Sequence, residues 1–144
     1  MSVVRMVIKG KPIAQPRPRV DVRGRFPHVY EAKASHAIHA WKETIRLVAL
    51  DKCWRGQRLA GPLALYVAFT MPRPKSMIWK TRPMPREWHV GTPDLDNLVK
   101  PILDATQGIV YADDCQIAEL MASKWIAAGD EWPGVVISFM SLEE

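Results

Sequence analysis

The stretch Leu63-Ala64-Leu65-Tyr66-Val67-Ala68-Phe69-Thr70-Met71, entered through the turn pair Gly61-Pro62, is a continuous apolar and aromatic run, and it reads as a strand. On its N-terminal side, Glu31 to Leu50 sets Ala34, Ala37, Ile38, Trp41, Ile45 and Val48 at steps of three and four, with Lys42, Glu43 and Arg46 elsewhere on the wheel. That spacing predicts an amphipathic helix. Val3 to Lys9 alternates and predicts a first strand, while Pro12 to Pro27 is a Pro- and Arg-rich loop in which each proline removes a ladder donor. On the C-terminal side, Pro72 to Pro93 combines five prolines with Arg73, Lys75, Lys80, Arg82 and Arg86, and is expected to be a long basic flap. A second helix is expected over Asn97 to Gln107, closed by Gly108. Ile109 to Tyr111 reads as a short strand, Asp113-Asp114 as a turn, and Ile117 to Ile126 and Val135 to Leu142 as two strands joined through Gly129, Pro133 and Gly134. The expected order is β, α, β, flap, α, β, β. This is an α+β fold, a single small domain over residues 1–144 with a largely antiparallel or mixed sheet packed against two main helices.

Charge is distributed unevenly. Residues 1–58 carry 13 basic against 4 acidic side chains, residues 59–90 carry 5 against 1, and residues 91–144 carry 2 against 10. The basic part suits a polyanion, because cations along phosphates release condensed counterions. Acidic residues beside a nucleic acid add repulsion, and holding divalent metal ions is a reason for them to be there. The apolar runs are too short to cross a membrane, and the start of the chain lacks the apolar region of a signal peptide, so a cytoplasmic protein without a membrane segment is expected. Cys53 and Cys115 lie far apart without a CxxC companion, which predicts free thiols and no zinc site. No GxGxxG, P-loop or serine-nucleophile motif supports a nucleotide cofactor or acyl transfer. His36 and His39 are expected on a helical surface.

The chemistry concentrates in Asp94-Leu95-Asp96-Asn97-Leu98-Val99-Lys100-Pro101-Ile102-Leu103-Asp104. On a helical wheel Asp96, Asn97, Lys100 and Asp104 fall on one side and Leu98, Val99, Ile102, Leu103 and Ala105 on the other. In an extended lead-in Asp94 points to the same side as Asp96, and two such carboxylates stay ionised together beside a cation; hard oxygen ligands suit Mg2+ or Mn2+. Asp113-Asp114 would close the cluster if its turn folds back over the helix start. Each part also has an ordinary use: Asp96 as a helix cap, Lys100 as an i,i+4 surface partner of Asp96 and Asp104, and Asp113-Asp114 as a plain turn.

Together with Leu103-Asp104-Ala105, Gly108-Ile109-Val110-Tyr111 and Asp113-Asp114-Cys115-Gln116-Ile117, this string resembles the signature of the RusA family of Holliday-junction resolvases. The similarity extends to Arg17-Pro18-Arg19 and to Met71-Pro72-Arg73-Pro74-Lys75. The resemblance implies a homodimeric, Mg2+-dependent endonuclease that nicks opposed strands of four-way DNA junctions in recombination and repair, common in prophage systems. It also implies Asp94, Asp96 and Asp114 as metal-binding catalytic carboxylates and Asp113 and Lys100 as further active-site positions. Pro101 departs from it, standing where the family often has alanine. On this reading Arg17, Arg19, Arg23, Arg25, Arg73 and Lys75 are candidate DNA contacts. Trp41 is expected in the core, and packing is favoured over base stacking for Trp79 and Trp88. A branched-DNA binder without catalysis, or a nuclease for flaps and forks, fits the same residues.

Overall fold

The structure, a computed structural model, describes residues 2–16, 18–31 and 36–143. Strand β1 (Val3–Lys9) is followed by a short hairpin, β2 (Pro18–Asp21) with β3 (His28–Glu31), then by helix α1 (His36–Lys52) and strand β4 (Leu63–Met71). After the flap, which contains the two-residue strand β5 (Glu87–Trp88), come helix α2 (Leu95–Thr106) and strands β6 (Ile117–Ile126) and β7 (Gly134–Ser141). The main sheet has the order β1-β7-β4-β6-β5. Every neighbouring pair is antiparallel except β4 with β6, which run parallel, so the sheet is mixed.

Burial follows from the period-two alternation of strands. Met6 and Ile8 of β1, Leu65, Val67 and Phe69 of β4, and Ile137 and Phe139 of β7 lie on one face. They meet Ile38, Trp41, Ile45 and Ala49 of α1 and Leu98, Val99, Ile102 and Ala105 of α2 in one core. The opposite face carries Val3, Val7 and Met121, all more than half exposed, and the half-buried Tyr66, Val136 and Ser138. Among the described residues no helix covers it. Both helices therefore lie on the same side of the sheet, and no described helix is long and apolar enough to cross a membrane.

Three expectations need correction. The Pro- and Arg-rich segment is not all loop: Pro18 opens β2, where its missing N–H matters least, and β2 pairs with β3 as a separate two-stranded sheet. The helix predicted from Glu31 begins at His36, because Glu31 ends β3; residues 32–35, with Ala34 among them, lie outside the described residues. Ile109 to Tyr111 is a turn, tied by the Gly108 N–H to the Tyr111 carbonyl at 2.7 Å and leaving only single bridges from Tyr111 to Leu59 and to Gln107. Cys53 and Cys115 are both free, and His36 and His39 are exposed on α1.

Gly134 opens β7 directly opposite Lys9, and a Cβ built there would collide with the Ile8 carbonyl oxygen and press on the Lys9 backbone. Both obstacles are main chain, so β1 itself would have to shift. Gly134→Ala should lower the unfolding free energy by about 1 to 3 kcal/mol, as overpacking does elsewhere. Urea denaturation checks this; a midpoint equal to the parent's would show that β1 yields freely.

Candidate active site

Asp94 occupies the N-cap position of α2, with extended backbone (φ −69°, ψ 146°), and its side chain makes no capping bond to the helix. Asp96 follows in the first turn, where the positive end of the helix dipole favours a carboxylate. Both are exposed. Their approach is fixed from behind: the Lys124 ammonium donates to the carbonyls of Gly91 and Pro93 at 2.6 Å each, so a lysine of β6 holds the segment leading to Asp94. The sequence reading missed Lys124, although it is one of only two basic residues after residue 90.

Pro101 lies inside α2 and is buried. It has no N–H to give the Asn97 carbonyl one turn back, and that carbonyl instead accepts from the Gln15 N–H at 2.8 Å. The helix stays continuous, and the segment entering the basic hairpin is attached to its first turn. Lys100 is exposed and pairs with Asp104 at 3.1 Å, and Asp104 also receives Lys42 of α1 at 3.5 Å. The expected i,i+4 partnership is thus realised toward Asp104.

Asp114 lies at the other end of the helix. Its Oδ1 is 2.8 Å from the Tyr111 hydroxyl, which is also 3.0 Å from the Leu103 carbonyl. The Gln107 amide, oriented so that its nitrogen faces the carboxylate, reaches the two Asp114 oxygens at 2.8 and 3.0 Å. Asp113 is engaged within its own turn. Its carboxylate accepts from Cys115 N at 3.0 Å while the Gln116 amide oxygen accepts from Asp113 N at 3.1 Å, a capping box over the 3-10 turn Asp114–Gln116. Gln107 and Gln116 were not singled out in the sequence, because an amide's partner is visible only after folding.

The flap is folded rather than loose. Arg73 donates to the carbonyls of Met77 (2.7 Å), Pro85 (2.9 Å) and Ala127 (3.2 Å) and pairs with Glu87 at 3.3 Å, with only 5% of its side chain exposed. Its guanidinium is committed to protein oxygens, which removes Arg73 from the candidate DNA contacts. Trp79 is half-buried near Arg73 and Arg82, whose guanidinium carbons are 5.0 and 4.0 Å from its ring centre. Arg86 binds Glu131 at 2.6 Å, and that pairing holds the Glu131 carboxyl below the usual range for glutamate. Lys75, Arg23 and Arg25 are exposed; Arg19 lies on β2, and Arg17 falls outside the described residues.

Residues 9–140 match the sequence model of a family described as Endodeoxyribonuclease RusA. The chain belongs to the RusA family. It is also similar to an uncharacterised protein, YqaN, of Bacillus subtilis (strain 168), 30% identical over 133 residues that cover 87% of this chain and 89% of the relative.

In this RusA-family chain the motif is divided by the length of α2. At about 1.5 Å per residue the twelve residues of α2 separate its two ends by roughly 18 Å. Asp94 and Asp96 stand at one end and Asp114, beside Leu103 and Gln107, at the other. Among the described residues no group of three or more Asp, Glu, His or Cys side chains is gathered to hold a metal ion. The oxygen donors of Asp94 and Asp96 suit a hard divalent cation, and Asp114 stands apart from them, held by Tyr111 and Gln107.

Tyr111 is fully buried, and burial is the main cause that pushes its phenol above the ordinary value of 10.0; the hydrogen bond with Thr106 opposes the rise, and the neighbouring Asp114 carboxylate adds to it. The folded state keeps this proton where the unfolded chain gives it up. The stabilisation is therefore complete below pH 10 and lost as pH rises above it. Tyr111→Phe should make the alkaline fall in stability shallower by up to one proton, about 1.4 kcal/mol per pH unit. Urea unfolding of parent and variant through the alkaline range measures this, and identical slopes would contradict it.

Proposed function

We propose that the protein is a cytoplasmic, homodimeric, divalent-metal-dependent endonuclease that resolves four-way DNA junctions by paired nicks during recombination and repair, with Mg2+ as cofactor and Mn2+ as an alternative. The observation that carries this reading is the exposed Asp94 and Asp96 pair at the start of α2, in a chain of the RusA family. Asp94, Asp96 and Asp114 would hold the metal, which when bound supplies an activated water and stabilises the leaving oxygen. Lys100 meets charge developing on the scissile phosphate, with Asp104 holding its ammonium in the resting state. Asp113 acts through the turn that aims Asp114. Arg17, Arg19, Arg23, Arg25 and Lys75 follow the phosphates of the arms.

The division of the motif supports a dimer. A second protomer has a place to bind: β6 pairs with β5 only at Trp125 and Ile126. Alongside runs a groove of about 460 Å³ lined by Leu95, Val99, Leu103, Leu120 and Ala122, with Asp96 and Lys100 at its rim. A copy seated antiparallel in this groove would bring Asp114 of one protomer to Asp94 and Asp96 of the other. It would also supply the twofold symmetry that two opposed cuts need.

This arrangement makes mixing informative. Asp94→Asn and Asp114→Asn homodimers should each bind a labelled junction and fail to cut it, because the amide keeps the volume and loses the charge. Mixed dimers of the two contain one fully mutated and one intact site, so equimolar mixing should restore nicking on one strand. Sites built within single chains would stay inactive on mixing. Junction binding by the parent without any Mg2+-dependent cut would leave a branched-DNA binder.

Lys100→Met should fold with a stability loss below about 0.5 kcal/mol, as its exposed ion pair implies. Single-turnover cleavage should slow by about a hundredfold at unchanged junction affinity. A rate within about threefold of the parent would return Lys100 to the surface.

A further inference from the structure

Trp88 is 63% exposed although it is a tryptophan on a strand. One face of its indole lies on Trp125, with ring centres 3.6 Å apart and planes 22° from parallel. A side chain that covers one face and still exposes most of its area presents the other face to solvent. The pair sits where β5 joins β6, Trp88 directly opposite Trp125, and Trp125 is in register with Thr70 of β4. Thr70 alternates with the core residues Phe69 and Met71, so both indoles stand on the side of the sheet without helices. Trp125 is held in place by its Nε1–H bond to Ser123 at 3.0 Å, and the Arg86 guanidinium carbon lies 5.3 Å from its ring centre.

Cross-strand stacking alone explains why the two rings touch, since such pairs stabilise short strands. It does not explain why the free face is left to water, at a cost in apolar exposure. The cation at the pair is Arg86, which also binds Glu131; Lys9, in the same cross-strand row through Gly134 and Thr70, stands on β1 at the other edge of the sheet, 5.9 Å from the ring centre of the exposed Trp132. Moreover, Trp88 precedes Asp94 by only six residues, in the segment that Lys124 fastens through Gly91 and Pro93.

From these observations we infer that the outer face of Trp88, backed by Trp125, is a stacking site for an unpaired nucleobase of the DNA substrate. A flat, preorganised aromatic face beside the Arg86 guanidinium accepts a base of any sequence, because every base has a π-face, while cations further along the strand meet its phosphates. The site rests on the reading of this chain as an enzyme of branched DNA, and it adds a preference for strands opened at the branch. Trp79 offers no comparable face, being half-buried near Arg73 and Arg82.

The test is equilibrium binding in EDTA, where cutting plays no part, to an oligothymidylate, to the same strand with abasic sugars, and to a four-way junction. The parent should favour the base-bearing strand over the abasic one by roughly tenfold. Trp88→Ala should remove most of that preference and Trp88→Phe keep it, with affinity for the abasic strand equal in all three. Trp88→Leu, which keeps apolar cover on Trp125 but lacks a π-face, should behave as the alanine variant does and guards against loss of β5. A preference that survives in Trp88→Leu, or that the parent lacks, overturns the inference; if the parent still binds the junction, the nuclease reading stands. Failure of the parent to bind any of these DNAs overturns both. A change in sedimentation on replacing Trp88 would assign the pair to a protein contact instead.

Discussion

Parallel pairing of β4 with β6 is the constraint on which the rest of this molecule depends. Antiparallel neighbours can be joined by a tight turn, but parallel neighbours require the chain to travel back along the sheet before it re-enters. Between Met71 and Ile117 that return comprises the flap, β5, α2 and the turn carrying Asp113 and Asp114. Four of the five proposed active-site carboxylate and lysine positions border α2 or lie on it, and the fifth caps the turn that follows. The functional segment is thus the crossover itself. Its helix is anchored by Leu98, Val99, Ile102 and Ala105 in the core, so its polar side is presented from a rigid element.

The same packing separates the two halves of the motif. A straight helix of twelve residues cannot bring its ends together, and the contacts that fix Asp114, from Tyr111 and Gln107, belong to the far end. What is contiguous in sequence is therefore spread along one edge of the protomer, next to an apolar groove and an edge of β6 largely without a strand partner among the described residues.

The long elements were legible because one pattern governed each. Leu63 to Met71, Val3 to Lys9 and Ile117 to Ile126 are strands with the bounds read from apolar runs and alternation, and α2 differs from its expected start by two residues. The hairpin of β2 and β3 was hidden by Pro18 and by the absence of a long apolar run. Side-chain roles were legible only where chain spacing determines them, as for Lys100 and Asp104. Arg73 shows the limit: a basic residue in a Pro-rich loop looks like a phosphate ligand, whereas folding surrounds it with three carbonyls and Glu87. Trp88 shows the reverse, since packing on Trp125 and exposure to solvent turned out to be compatible.

The bond from Gln15 to Asn97 gives Pro101 a consequence for how such chains diverge. An alanine at position 101 would supply its own N–H to the Asn97 carbonyl, leaving the Gln15 N–H to find another acceptor; a proline requires the partner from outside the helix. The residue at 101 and the length of the segment between Lys9 and Pro18 are therefore not independent choices. Across relatives they should vary together, as a loop and a helix that share one hydrogen bond must.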